Sequence, residues 1–194
     1  RVQDVRFPLE VPVREKELVR RLFQQAGADF SRAYIVLAIG ANWPNKRWPE
    51  SHFANLVDCI YARNSIPILI GDGIVDEQRA ARIEREAAIP PVNLVGKTNL
   101  KELTAIMANA QAVVGGDTGP VHLAAGLGVK TIMLMGPTDA NRNGPYGQIE
   151  NAVEASHECK GCWKRVCPKD IDCLAVISPE TVGKKIGFTG NQRG

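Results

Sequence analysis

From Tyr34 onward the chain alternates between two hydrophobic patterns. Short segments that are apolar at almost every position, as in strands buried on both faces, are each followed by a segment with apolar residues at helical spacing. The predicted strands are Tyr34–Ile39, Pro67–Ile70, Val92–Val95, Gln111–Gly116 and Thr131–Met135. Because strands that alternate with helices build parallel sheets, the sequence predicts an α/β fold with a Rossmann-like doubly wound parallel sheet.

Two of the predicted helices have recognisable limits. One spans about Asp76 to Ala88, with apolar residues repeating along one face. The next begins after Asn99, because Glu102 follows three residues later and the pair forms a capping box.

The first 32 residues have a different organisation. Arg1–Pro12 contains short apolar alternation and two prolines, like the last strand and connector of a preceding unit. A helical stripe follows and ends at Gly27. We interpret residues 1–32 as an interdomain linker and a helix from a preceding domain absent from this chain, residues 33–187 as the Rossmann-like domain, and residues 188–194 as a flexible tail.

Composition adds few constraints. With 194 residues, 44% hydrophobic and 23% charged, the chain can bury a sizeable core. No apolar run approaches the roughly 20 residues that a transmembrane helix needs. The formal net charge of +3 is too small to indicate a nucleic-acid partner but suits anionic substrates.

The segment Asp117–Ala125 is the most informative part of the chain. It follows a predicted strand that ends in two glycines, and it continues as small and apolar residues typical of a buried helix. Asp117, Thr118 and Gly119 are all suitable N-caps. Such a turn directs unpaired backbone N–H groups and the positive end of a helix dipole at one point, as in phosphate-binding sites. The alternative is an ordinary capped helix with His122 as a core histidine.

Glycine-rich loops favour the ligand site. The strand after this helix opens into Gly136-Pro137-Thr138-Asp139, and Gly144-Pro145-Tyr146-Gly147 follows. In doubly wound sheets, ligands bind outside the carboxyl ends of the strands.

Lys46 is a second candidate. It lies after the first predicted strand, in a loop rich in aromatic residues, prolines and polar donors. This loop faces the same crevice as the Asp117 turn, so a lysine there would meet a phosphate held by helix N–H groups. The alternative is that the tryptophans pack and the lysine is solvated.

These residues carry a family resemblance. The run from Val113 to Gly147, read with Lys46-Arg47-Trp48-Pro49 and Val95–Leu100, resembles glycosyltransferase family 9, the lipopolysaccharide heptosyltransferases. The resemblance extends more weakly from about Ala33 to Val182. It implies the C-terminal, donor-binding domain of a GT-B glycosyltransferase, with residues 33–187 binding a nucleotide sugar.

The resemblance also implies roles for particular residues. The donor site would comprise Lys46, Asn42, Asp117, Thr118, Gly119 and His122. Lys46 and the amides of Thr118 and Gly119 would bind the diphosphate. Asn42 stands where the family has a hydroxyl residue. Like charges repel at contact, so Asp117 is better suited to accept hydrogen bonds from sugar hydroxyls, with His122 donating to the donor or orienting Asp117.

The implied reaction is sugar transfer, with heptose from ADP-heptose moving to a lipopolysaccharide core acceptor. Preorganised cations and dipoles stabilise the departing diphosphate, so no metal cofactor is required. The catalytic base would lie in the N-terminal half, which is absent from this chain, together with the acceptor site, so the isolated chain is expected to be inactive.

The enzyme would be cytoplasmic, in peripheral contact with the inner face of the bacterial inner membrane. Asp76 or Glu77 would hold a ribose, or Asp76 would cap its helix.

Four of the five cysteines lie close together in the sequence: Cys159, Cys162, Cys167 and Cys173. Four thiolates bind zinc tetrahedrally, but the usual pairing has two C-x2-C knuckles and only one is present here. The alternatives are a structural zinc, another soft metal, an iron–sulfur site, free thiols and disulfides. We expect the segment to fold as a loop against the domain, before a helix begun by Ser178-Pro179.

Two rival functions remain. Basic residues and Trp163 interleave with the cysteines, as in a knuckle module for RNA or anionic lipid. That class does not account for Asp117–Gly147, so no nucleic-acid partner is predicted. The other rival is a GT-B nucleotide-sugar epimerase that shares the donor fold.

Overall fold

Helices and strands alternate along the described part of the chain, which in this computed structural model is residues 13–29 and 31–188. The helices are α1 (Val13–Gln25), α2 (Glu50–Tyr61), α3 (Gly73–Glu86), α4 (Leu100–Ala108), α5 (Gly119–Gly126), α6 (Ala140–Asn143) and α7 (Pro179–Ile186). The strands are β1 (Tyr34–Ala38), β2 (Ile66–Ile70), β3 (Val92–Asn93), β4 (Ala112–Gly116), β5 (Thr131–Met135) and β6 (Ala152–Glu154).

The strands form one six-stranded sheet in the order β3-β2-β1-β4-β5-β6. Every neighbouring pair is parallel. The chain builds outward from β1 to β3, then returns to pair β4 with β1 and builds outward to β6. This order confirms the doubly wound prediction. The reversal leaves a topological switch point between β1 and β4, where ligands bind in such folds.

The core has one apolar layer on each face of the sheet. Residues of β1 alternate between the layers: Ile35 and Leu37 pack with α2, α3 and α7, whereas Val36 packs with α1, α4 and α5. Strands covered on both faces are apolar at every position, and all five residues of β1 are buried. Burial of both faces therefore explains the unbroken apolar runs in the sequence.

Helix α1 belongs to this core. Val19 and Phe23 are completely buried, and the Phe23 ring centroid lies 5.1 Å from that of Tyr34.

The assignment of residues 1–32 to a linker and a preceding domain stays a prediction. Arg1–Pro12 and residues 189–194 lie outside the described residues, whereas Phe188, the first residue of the predicted flexible tail, packs against the core. Among the helices of the described ranges, none is long and apolar enough to cross a membrane.

Several boundaries differ from the prediction. Helix α3 begins at Gly73, three residues before Asp76. Strand β3 has two residues where four were expected. Helix α6 and strand β6 were not predicted, because segments of four and three residues are too short to show a period. The capping box is confirmed: the Asn99 side chain accepts from the Lys101 and Glu102 amides, and Glu102 accepts from the Asn99 amide.

Candidate functional site

A crevice of about 860 Å³ opens at the carboxyl ends of β1 and β4. Its walls are the loop after β1, the turn and first residues of α3, the start of α4, and the segment Asp117–His122. Ligand pockets usually have volumes of about 300 to 1,000 Å³, so the crevice can hold a nucleotide sugar. Its position at the switch point is the one expected from the sequence.

Lys46 and Asp117 meet in this crevice. Nζ of Lys46 donates to Oδ2 of Asp117 at 2.6 Å, and the two side chains are only 12% and 4% exposed. The ammonium group also lies 4.4 Å from the ring centroid of Trp43. Lys46 is thus held at the crevice wall, and the alternative of a freely solvated lysine is wrong.

The Asp117 carboxylate has two further partners. Its Oδ1 lies 2.7 Å from Nε2 of His122, and its Oδ2 accepts from Nδ2 of Asn143 at 3.1 Å. Burial alone would raise the pKa of Asp117, but the contacts with His122 and Lys46 outweigh it and hold that pKa well below the usual range. Asp117 is therefore an anion that fixes both Lys46 and His122. Its proposed contact with a sugar hydroxyl stays a prediction, and Oδ1 retains a lone pair for it.

Helix α5 begins beside this cluster. Thr118 is its N-cap residue, but the Thr118 side chain makes no capping hydrogen bond. The first amides that bond back are those of Val121 and His122, both to the carbonyl of Thr118. Within residues 13–29 and 31–188, the amides of Thr118 and Gly119 have no acceptor. They are free to bind an anion, and the helix dipole favours one.

The other candidate residues, Asn42, Asp76 and Glu77, differ in their positions relative to the crevice. Asn42 is exposed and lines the crevice. Asp76 is buried, accepts from the amide of Asp72 at 3.0 Å, and packs so closely on Gly40 that a β-carbon there would overlap it. Asp76 thus fixes the turn before α3 from inside the helix, whose N-cap residue is Asp72, and its contact with a ribose stays a prediction. Glu77 is exposed and does not line the crevice.

The cysteines cluster without forming a ligand set. Cys173 is buried, and its pKa is raised to about 11 by burial and by the nearby thiols of Cys167, Cys162 and Cys159. Within the described ranges, no three histidine, cysteine, aspartate or glutamate side chains lie together as metal ligands would. This arrangement does not support the metal assignment, which stays a prediction. The loop does end as expected, since Ser178 caps α7 through the amide of Thr181.

Sequence reasoning missed two asparagines. Asn143 is the last residue of α6, between the two glycine-rich turns after β5, and reaches Asp117 across 26 residues of sequence. Asn45 precedes Lys46 and donates from Nδ2 to the carbonyl of Lys164 at 2.7 Å. No local pattern separates these side chains from ordinary loop asparagines. For Asn45 the only signal was its place beside the candidate lysine.

The fold and the site define an α/β domain with a lysine and unpaired helix amides at the switch point of a parallel sheet. The model of glycosyltransferase family 9 (heptosyltransferase) matches residues 2–171, and the chain belongs to this family.

The chain is similar to lipopolysaccharide heptosyltransferase 1 of Pseudomonas aeruginosa, with 32% identity over 169 residues, 85% of this chain and 45% of the relative. It shares its fold with a family 9 glycosyltransferase from Veillonella parvula, at a TM-score of 0.78 and 24% identity, over 94% of this chain and 53% of the other. It shares the fold also with ADP-heptose lps heptosyltransferase II of E. coli, at a TM-score of 0.75 and 24% identity, over 95% and 54% of the two chains. The chain thus spans about half the length of these proteins.

Proposed function

We propose that this chain supplies the donor-binding half of a heptosyltransferase that moves heptose from ADP-heptose to a lipopolysaccharide core acceptor. The observation that carries the proposal is that Lys46 and the free amides of Thr118 and Gly119 line one crevice. An ammonium group and a helix N-terminus that face one another bind a diphosphate from two sides.

These groups account for the electrostatics of transfer. The acceptor oxygen forms a bond to the anomeric carbon while the bond from that carbon to the diphosphate breaks, and the diphosphate leaves with the electron pair. The Lys46 ammonium group has three N–H donors, of which Oδ2 and the backbone carbonyl of Asp117 accept two, so one is left to stabilise the leaving charge. A divalent metal is then not needed. We assign no catalytic base to this chain, and the acceptor's proton goes to a base outside it.

Partners and location follow from the same proposal. The donor is a nucleotide sugar, and a lipid-linked saccharide acceptor would bind through a further domain. A lipid-linked acceptor requires the enzyme to work at a membrane surface, in peripheral contact with the inner face of the inner membrane from the cytoplasm. A structural zinc at Cys159, Cys162, Cys167 and Cys173 is a separate prediction, which elemental analysis of freshly reduced protein tests.

Neither rival function is supported. Family membership over residues 2–171 covers the segment that an RNA- or lipid-binding knuckle leaves unexplained. An epimerase would share the donor fold, but the matched family is one of transferases.

Calorimetric titration with ADP, UDP and GDP, each with magnesium and with a chelator, tests the proposal. We expect ADP to bind best and equally well in both conditions. Binding that requires magnesium, or no nucleotide binding at all, would contradict it.

A further inference from the structure

The cysteine segment (residues 159–173) is attached to the loop that follows β5. The amide of Gly161 donates to the carbonyl of Gly136 at 2.9 Å, and the amide of Trp163 donates to that of Pro137 at 2.7 Å. The guanidinium of Arg142 lies 4.6 Å from the Trp163 ring centroid. These contacts fix the segment next to the loop that carries Asn143, and therefore next to the Asp117 cluster.

The same segment is attached to the loop that carries Lys46. Asn45 is 8% exposed, and its side-chain amide donates to the carbonyl of Lys164, 119 residues away in sequence. Arg165 adds a second contact, with its guanidinium 5.5 Å from the Trp43 ring centroid. The segment therefore bridges the loop that carries Lys46 and the loop after β5, from which Asn143 contacts Asp117.

Asn45 is well placed to control Lys46. Both residues lie in the short 3-10 turn Pro44–Lys46, which the Lys46 amide closes by donating to Trp43. A three-residue turn has few hydrogen bonds of its own, so its position depends on contacts with the rest of the protein. The Asn45 amide supplies such a contact one residue before the lysine.

We propose that Asn45 is a positioning residue: by binding the carbonyl of Lys164 it holds the turn so that the Lys46 ammonium group faces the diphosphate site. A lysine side chain has many rotamers, and aiming it from a fixed backbone reduces the entropy lost when a ligand binds. The inference rests on the proposed function, because it assumes that Lys46 binds a diphosphate.

The test measures nucleotide affinity in the 194-residue chain by calorimetry. Asn45→Ala should weaken ADP binding about 3- to 10-fold, the range for one lost hydrogen bond. Adenosine, which has no diphosphate, should bind to the variant as it binds to the unmodified chain. In a Lys46→Ala background, Asn45→Ala should cause no further loss, because its effect passes through the lysine.

Asn109→Ala is the matched control. Asn109 also donates from its side-chain amide to a backbone carbonyl, that of Ala105, at 2.9 Å, but it lies at the end of α4 away from the crevice. The control removes the same kind of hydrogen bond and should leave ADP affinity unchanged. If Asn45→Ala does not fold, Asn45→Leu, which keeps the shape and loses the donor without adding a charge, takes its place.

The outcomes separate the two proposals. If the unmodified chain binds ADP and Lys46→Ala weakens binding while Asn45→Ala does not, the positioning role is overturned and the proposed function stands. The positioning role is also overturned if Asn45→Ala weakens ADP binding further in the Lys46→Ala background, or if it weakens adenosine binding as much as ADP binding. If the unmodified chain binds no nucleotide, the proposed function fails, and the inference fails with it.

Discussion

Gly116 lies directly against the carbonyl oxygen of Lys46, with no room for a β-carbon between them. Gly116 is the last residue of β4 and precedes Asp117 in the sequence. Because it has no side chain, the loop after β1 can pack against the carboxyl end of β4. The ion pair of Lys46 and Asp117 depends on this approach, because the backbones of the two residues must come close before their side chains meet.

Gly116→Ala should therefore destabilise the protein. The added methyl group forces the Lys46 loop outward, and overpacking of this kind costs about 1 to 3 kcal/mol. Thermal unfolding measures the effect. Gly119→Ala is the control for stability, because a β-carbon at Gly119 would meet no atom within 4 Å. Equal melting temperatures for both variants would show that the loop yields without cost.

Lys46→Ala should weaken ADP binding by about 1.5 to 3 kcal/mol, the contribution of a hydrogen bond to a charged group. Calorimetry measures the change. Lys184→Ala removes the same charge from an exposed position on α7 and should leave affinity unchanged. Unchanged binding in the Lys46 variant would remove the main support for the diphosphate site.

Asp117→Asn should lower stability at neutral pH by about 1.5 to 3 kcal/mol, the range for hydrogen bonds to a charged group. The folded-state pKa of Asp117 lies below its unfolded value, so the ionised carboxylate stabilises the fold above about pH 4, and this contribution is lost as the pH falls further. The difference in free energy of unfolding between the Asp117→Asn variant and the unmodified chain should therefore shrink below about pH 4.

Denaturant unfolding at pH 7 and pH 3 checks this prediction. Asp58→Asn is the comparison, because the Asp58 carboxylate also accepts a hydrogen bond, from the amide of Ala88. A difference between the Asp117 variant and the unmodified chain that stays constant with pH would mean that the ion pair adds nothing to stability.

The isolated chain should bind donor but transfer no sugar. Its crevice contains groups suited to a diphosphate, and we assign no catalytic base to it. Incubation with ADP-heptose and an acceptor, followed by mass spectrometry, measures transfer. Product formation by the 194-residue chain would place the base here, and Asp117 would be the first residue to substitute.

Much of the fold could be predicted from local patterns. Four of the five apolar runs became strands that are buried at every position, because a strand covered on both faces needs apolar residues throughout, whereas the fifth contains only the two-residue strand β3. The limits of short elements could not be predicted: β6 exists because it pairs with β5, Ala152 opposite Met133, and not because of its own sequence. Part of the candidate site could also be predicted. Lys46 and Asp117 each follow a strand, and because parallel strands end at one edge of the sheet, the two residues were expected in one crevice.

The sequence by itself determined the alternation of strands and helices, the turn that begins α5, and the family to which the chain belongs. Only the tertiary structure decided that Asp117 pairs with Lys46, His122 and Asn143, and that Asn45 ties the lysine's turn to the cysteine segment. The physical reason is distance along the chain. Periodicity and capping act over a few residues, whereas these hydrogen bonds, apart from the one to His122, join residues 26 to 119 positions apart and form only after the sheet has brought their loops together.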